Sequence, residues 1–383
     1  MGTSVVEAQK PGRVLSLDIV RGITIAFMIL VNDNGSEKDA YAQLKHAAWN
    51  GWTLTDLVFP SFLFMVGIAV VYSIEARLAK GETKRTLMLH ALQRAVVLFC
   101  FGLIVNAFPH FHLATWRIYG VLQRISICYL VMSALYLYSR RVATFVAVVA
   151  MALVGYYVIM RWIPVPGFGM PGRDVPLLDM DNNWVAYIDR ALMPAARLYQ
   201  KVRDPEGLLS TLPALGTAGL GVLTGFWLRS ARSGIQKAGG LLAGAVVGIA
   251  SGELWNVWFP INKKMWTSSY VLFAGGCTLL VLAVCYYVFD VKKLRREWGY
   301  PWLVFGSNAI TAYMVSELMA GALGSIHLMC GGTMVNLQRY IFRSVFQDVG
   351  SPGFGSLLYS LAYVAVCFIP NLVLYRKKIF LKV

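Results

Sequence analysis

Ten apolar stretches, each about twenty residues long and separated mostly by short polar or basic segments, restrict this chain to one environment. A helix that crosses a bilayer needs roughly 20 mainly apolar residues, because 1.5 Å of rise per residue must cover a hydrocarbon core of about 30 Å. The stretches fall at about 15–33, 54–78, 87–108, 118–138, 143–161, 210–229, 238–258, 267–289, 301–322 and 355–375. Hydrophobic residues make up 57% of the chain and charged ones 14%, an apolar excess that a soluble core does not need. The expected fold class is all-α: a polytopic membrane helix bundle of about 10 transmembrane helices, forming one domain over 1–383.

The formal net charge is +16, which in a soluble protein would suggest nucleic acid. Here the cations are grouped between apolar runs, at Lys80 to Arg85, Arg140-Arg141, Arg229 to Lys237, Lys292 to Arg296 and Arg376 to Lys378. With ten crossings these clusters share one side with Lys10, Arg13 and both chain ends. The short loops opposite hold few cations: Lys38, Lys45, Arg117, Lys263 and Lys264. The positive-inside bias therefore predicts cytoplasmic termini. Residues 1–13 are polar, and the first apolar run carries Asp18 and Arg21, so it reads as a retained helix rather than a cleaved leader.

Two outer segments, 162–209 and 323–354, are too long for simple connections. Their aromatic and aliphatic content predicts that they fold over the outer end of the bundle with short helices of their own. Gly240, Gly244, Gly248 and Gly252 place a glycine stripe on one face of the seventh span, suited to close helix approach. Small-residue faces in spans six and seven also make a homodimer a candidate assembly. No internal repeat of the kind found in many transporters is visible. The six cysteines contain no CxxC, and His110 and His112 lack a third ligand, so no metal is expected.

A charge at mid-bilayer costs roughly 2.5–3.5 kcal/mol on insertion scales, so it should face a bundle interior or a wet cavity. Asp18, Arg21, Asp56, Arg94, Arg124, Glu253 and Glu317 are such residues. Asp18 and Arg21, three apart, either neutralise each other or serve a ligand. Arg94 has the option of reaching the inner surface. The richest segment joins spans one and two: Val31-Asn32-Asp33-Asn34, then His46-Ala47-Ala48-Trp49-Asn50-Gly51, then Asp56-Leu57-Val58-Phe59-Pro60. It brings an amide, an imidazole and a carboxylate to one membrane face. Imidazole suits proton transfer near neutrality, a carboxylate can fix its tautomer, and an amide can donate to an oxyanion. Equally, a loop histidine of this kind can be merely solvated.

Six stretches carry a resemblance over nearly the whole chain, in order. They are LDIVRGITIAFMILVN (17–32), HAAWNGWTLTDLVFPSFLFMVG (46–67), GVLQRISICYL (120–130), DPEGLLSTLPA (204–214), FPINKKMWTSSYVL (259–272) and FGSNAITAYMVSE (305–317). In these the chain resembles the transmembrane acetyltransferases related to heparan-α-glucosaminide N-acetyltransferase, and among them the bacterial inner-membrane members called NagX-type. The resemblance implies a cytoplasmic acetyl-CoA donor and an amino-sugar acceptor of glucosamine type on the periplasmic side. It implies His46 as active histidine, with Asn32 and Asp56 as its amide and carboxylate. No counterpart is expected here of the large outer domain that precedes the bundle in the lysosomal protein, and the loop from Asn32 to His46 differs in length.

On that basis the pantetheine arm of acetyl-CoA threads between helices while its phosphates stay at the basic inner surface. Arg21 lies roughly 16 Å from Asn32 along the first helix, so one span can touch both ends of the arm. Arg21, Arg124 and Asn308 are candidate cofactor contacts, the arginines for phosphate or carbonyl oxygens. Each is as readily an internal ion pair or helix–helix hydrogen bond. Trp266, Ser268 and Ser269 either line the passage or pack. His46 is expected to act as base or as covalent acetyl carrier, with Asp56 orienting it and Asn32 holding the oxyanion. Trp49, Trp52 and Trp184 suit either sugar stacking or the interfacial aromatic belt. An amino-sugar or N-acetylglucosamine transporter without acyl transfer, and a non-catalytic scaffold, are the rival readings.

Overall fold

A computed structural model describes residues 14–294, 296–330 and 332–381, so Lys10, Arg13 and Arg295 of the basic clusters lie outside the described residues. Nine described helices are long and apolar enough to cross a membrane. In chain order the helices are α1 (Leu15–Asn32), α2 (Val58–Leu78), α3 (Lys84–Ala107), α4 (Val121–Tyr138), α5 (Val142–Trp162), α6 (Trp184–Leu192) and α7 (Thr211–Arg229). They continue with α8 (Gly234–Asn256), α9 (Ser268–Cys285), α10 (Tyr300–Ser307), α11 (Ala309–Ser325), α12 (Leu337–Ile341) and α13 (Pro352–Arg376). A 3-10 turn, Leu54–Leu57, leads into α2, and a π-helical turn, Tyr286–Val291, extends α9. The molecule is an all-α multi-pass membrane bundle. The predicted span 301–322 differs: it is two helices, α10 and α11, meeting at Asn308.

The chain forms two compact units. Unit one holds the residues up to Lys45, Ala231–Ala245 and Thr278 onward; unit two holds His46–Ser230 and Val246–Cys277. The division runs through α8 and α9.

In unit one the first two helical amides of α1, Leu15 and Ser16, donate to the Asp290 carboxylate at 2.8 and 2.9 Å. The N-terminus of α1 thus finds an acceptor that its own turn cannot supply. Asn308 leaves helical geometry (φ −130°, ψ 45°) because its side chain clasps the C-terminal segment. Its Nδ2 donates to the Ile379 carbonyl at 3.1 Å, and its Oδ1 accepts from the Leu381 amide at 3.0 Å. The predicted outer segment 323–354 holds an antiparallel hairpin, β1 (His327–Cys330) and β2 (Thr333–Asn336), then α12. α13 starts at Pro352 behind Ser351, whose hydroxyl accepts from the Phe354 amide, a helix start that proline at N1 favours.

Unit two is organised around α2 and α7. A Cβ on Gly67 would lie 2.0 Å from the Ala218 carbonyl oxygen, and one on Gly221 would lie 2.0 Å from that of Phe64. Only glycine allows this contact, so the two backbones touch without an intervening side chain. Around the crossing lies the core of α2, α4, α5, α7 and α9: Leu63, Val70, Met132, Tyr136, Phe145, Ala214, Ala218, Trp266 and Tyr270 are all buried. The stripe on α8 serves the same purpose inside the chain. A Cβ on Gly252 would lie 2.5 Å from the Phe273 amide nitrogen of α9. Part of the α8 stripe, at Gly248 and Gly252, is therefore packed against α9 within the chain. Segment 162–209 contains α6, and its Leu178 and Val185 pack with Tyr156, Met160, Phe259 and Met265.

Gly67→Ala should destabilise the protein by about 1–3 kcal/mol or more through overpacking. Gly155→Ala, where nothing lies within 4 Å of the added Cβ, should leave thermal melting unchanged or slightly raised. Melting in detergent checks both.

Candidate functional site

The HAAWNG segment is irregular, and its shape is set by one carboxylate. Asp56 lies in the 3-10 turn at the mouth of α2, with 1% of its side chain exposed. Its Oδ2 accepts from the Ala47 amide (3.0 Å), the Thr53 amide (3.1 Å) and the Thr53 hydroxyl (3.1 Å). Its Oδ1 lies 2.7 Å from Nδ1 of His46. Three donors fill Oδ2, and a carboxyl group is ordinarily about 2.6 pH units more acidic than an imidazole, so the shared proton belongs to the ring and Nδ1 donates. The lone pair is then on Nε2. The His46 side chain is 43% exposed, so this lone pair sits on an accessible imidazole. The backbone carbonyl of Asp56 accepts from the Tyr270 hydroxyl, which ties the turn to α9.

A second loop, 257–267, closes over the first. Gly51 donates its amide to the Ile261 carbonyl at 2.8 Å, and Asn262 Nδ2 donates to Asn50 Oδ1 at 3.1 Å. Lys264 Nζ donates to the Ala48 carbonyl at 2.8 Å. The loop is held rigid from within: Asn262 accepts from the Met265 amide, and the Asn262 amide donates to the Thr267 hydroxyl. Trp266 adopts a left-handed backbone (φ 52°). Its buried indole donates to Thr217 Oγ at 3.1 Å and stacks under Arg124, whose guanidinium carbon is 5.0 Å from the ring centre. The outcome is that Lys263 Nζ lies 3.3 Å from each ring nitrogen of His46. Burial pushes Lys263 below the ordinary lysine value; the carboxylates of Glu206 and Asp56 oppose that, and Lys264 and Arg124 add to it. Lys263 is the site residue that sequence reasoning missed. The signal was present in its loop, FPINKKMW, but nothing local links that loop to HAAWNG.

Behind these loops is a network of charges. Arg117 pairs with both Asp204 and Glu206. Burial works against its charge, yet the two carboxylates hold its pKa above the ordinary arginine value. The Asp204 amide donates to Asp189, whose carboxyl burial pushes up to about 7. Arg124 is buried on α4; its Nη2 donates to the Gly207 carbonyl at 3.1 Å and to the Ser210 hydroxyl, while its Nε and Nη1 are buried without a hydrogen-bond partner. The DPEGLLS stretch is therefore a cradle for two arginines.

The predicted residues divide between the units. Unit two brings together His46, Asp56, Arg124 and Trp266. Ser268 and Ser269 are buried there and donate to the Leu153 and Phe259 carbonyls. Asn32 ends α1 in unit one with an exposed side chain. Arg21, also in unit one, pairs with Asp18 at 3.2 Å and reaches the Gly306 carbonyl at 3.4 Å. Asn308 holds the C-terminal segment, as described above. Glu253 does not face an interior: it is exposed one turn from the end of α8 and accepts from Asn256, a position at the membrane edge. Arg94 stacks on Tyr129. Trp49 donates to the Leu178 carbonyl, and Arg203 and Lys264 approach its ring.

Comparison with known proteins finds sequence similarity to one family. The family described as "Heparan-alpha-glucosaminide N-acetyltransferase, catalytic" matches residues 13–188, which include His46, Asp56 and Arg124. The chain is similar to the heparan-alpha-glucosaminide N-acetyltransferases of two mammals. It is 30% identical to the Homo sapiens protein of that name over 80% of this chain and 53% of the human one. It is 29% identical to the Mus musculus protein over 80% of this chain and 54% of the mouse one. The chain thus spans about half the length of these curated relatives.

Arg117→Met strands two carboxylates, one of them fully buried. It should destabilise the protein by about 3 kcal/mol or more, read as a lowered melting temperature in detergent.

Proposed function

We propose that this chain is a membrane N-acetyltransferase that takes an acetyl group from acetyl-CoA and places it on the amine of a glucosamine-type sugar, at the periplasmic face of a bacterial inner membrane. The observation that carries the reading is the Asp56–His46 pair. A buried ionised carboxylate fixes Nδ1 as the donor and leaves the exposed imidazole with an Nε2 lone pair. That is what a base for an attacking amine requires. Acyl transfer needs the amine to lose a proton as its nitrogen bonds to the thioester carbon and the thiolate departs. Nε2 of His46 accepts that proton, and the Asp56 carboxylate stabilises the imidazolium that results. The same lone pair also suits attack on the thioester in a two-step route through acetyl-His46.

Acetyl-CoA supplies the acyl group, and no metal enters the scheme. Arg124, with two unpartnered nitrogens beside Trp266, is the cofactor contact that unit two supports best, because a guanidinium suits a carbonyl or phosphate oxygen. Ser268, Ser269 and Trp266 act from behind by holding the loop that carries Lys263. The family resemblance carries the oxyanion donor to Asn32 and cofactor contacts to Arg21 and Asn308. These belong to unit one and are tested one by one by substitution. The grouped cations support cytoplasmic termini, which places the donor's phosphates on the basic side.

The test is incubation of detergent-purified protein with labelled acetyl-CoA and a panel of amino sugars, scored for N-acetyl product. His46→Ala should lower transfer by about 10²–10⁴-fold. It should still be stabilised against heat by CoA, because a ligand of the folded form stabilises it whether or not it reacts. Near-normal transfer by this variant would overturn the assignment. Intersecting steady-state lines with no label on the protein mark direct transfer; label trapped on His46 marks the two-step route. A protein stabilised by free sugar and not by acetyl-CoA would be a transporter.

A further inference from the structure

The Lys263 side chain has no role in the scheme above, yet it is the cation on the His46 imidazole. Its Nζ is equidistant, at 3.3 Å, from Nδ1 and Nε2. Nδ1 already donates its proton to Asp56, and an ammonium can only donate. A point equally far from both ring nitrogens at this distance lies over the face of the imidazole, so the ammonium sits against the ring itself and leaves the in-plane Nε2 lone pair open. The contact is built rather than incidental. Three ties fix the lysine's loop to the histidine's, Gly51 to Ile261, Asn262 to Asn50 and Lys264 to Ala48, and Tyr270 at the start of α9 donates to the Asp56 carbonyl. The stacked Arg124–Trp266 pair supports the loop from beneath.

We propose that Lys263 is a positioning residue that holds His46 in its neutral, base-competent form by keeping a positive charge over the face of its ring. Two opposed forces act on the imidazole. The Asp56 carboxylate at 2.7 Å favours the imidazolium. A protonated His46 has no lone pair and cannot accept the amine's proton. An ammonium over the ring face disfavours a second positive charge and favours the neutral ring. The lysine is taken as the cation of the pair because its ordinary pKa lies about four units above that of imidazole; burial works against that charge, and the carboxylates of Glu206 and Asp56 favour it. The charged groups that bear on the pair in unit two are Asp56 from the turn before α2, Lys264 from the same loop as Lys263, Glu206 from the DPEGLLS stretch and Arg124 from α4.

Titration of the His46 ring tests this without any turnover. The protein holds five histidines, so carbon-13 labelling of histidine followed by NMR in detergent, with His46→Gln to assign the signal, reads one ring. Lys263→Met should raise the His46 midpoint by about one pH unit or more, and Lys263→Arg, which keeps the charge, should leave it near the wild-type value. If Lys263→Met does not fold, Lys263→Gln is read in its place. A midpoint within about 0.2 unit of wild type in the neutral variant overturns the proposal, as does an equal rise in Lys263→Arg. The kinetic arm rests on the acetyltransferase reading: the acid limb of kcat/KM for acetyl transfer should move upward with the NMR midpoint in Lys263→Met. The two claims fail separately. A shifted midpoint in a protein that transfers nothing sinks the function and leaves the lysine's role intact. Transfer with an unshifted midpoint does the reverse.

Discussion

A single buried carboxylate determines how the irregular half of the site is arranged. Asp56 sits where the chain enters its second span, a place where an ion is expensive unless every lone pair finds a donor. The donors available are two amides, a hydroxyl and an imidazole, and all four come from residues within ten positions. Satisfying the ion therefore folds the HAAWNG loop back onto the helix mouth and orients His46. Stability and chemistry share one cause here. The interaction that makes the carboxylate tolerable also leaves the ring's lone pair on Nε2, on a part-exposed imidazole.

The helices were legible because a bilayer accepts few alternatives. Nine predicted spans agree with observed helices to within a few residues, since length and apolarity are set by membrane thickness. The tenth, 301–322, shows where composition stops informing. Asn308 is one polar residue in an apolar run, and only the C-terminal segment, some seventy residues later, explains why its amide leaves the helix. Glu253 was misjudged for a related reason. Its distance from the helix end, which decides whether a charge reaches water, depends on a terminus that sequence gives only to within a turn.

The site was half legible. Asp56 and His46 are ten residues apart, so their pairing is a local matter and the motif exposes it. Arg124 was noticed because its charge is costly at that depth. Lys263 was not singled out, since a lysine in a short outer loop is ordinary by every local measure and its importance lies in a neighbour 217 positions away. Arg117, Asp204 and Glu206 escaped for the same reason. Each is an unremarkable surface charge until the DPEGLLS stretch is seen folded against α4.

That sequence separation has a consequence for how the protein is made. The imidazole and its carboxylate leave the ribosome early and can pair as soon as the mouth of the second helix forms. The ammonium that faces them is synthesised 217 residues later, roughly 10–40 s afterwards at ordinary elongation rates. For that interval the nascent chain displays an uncovered histidine. Any truncation that removes the 257–267 loop would freeze it in that juvenile condition, with its carboxylate partner in place and its counterweight missing.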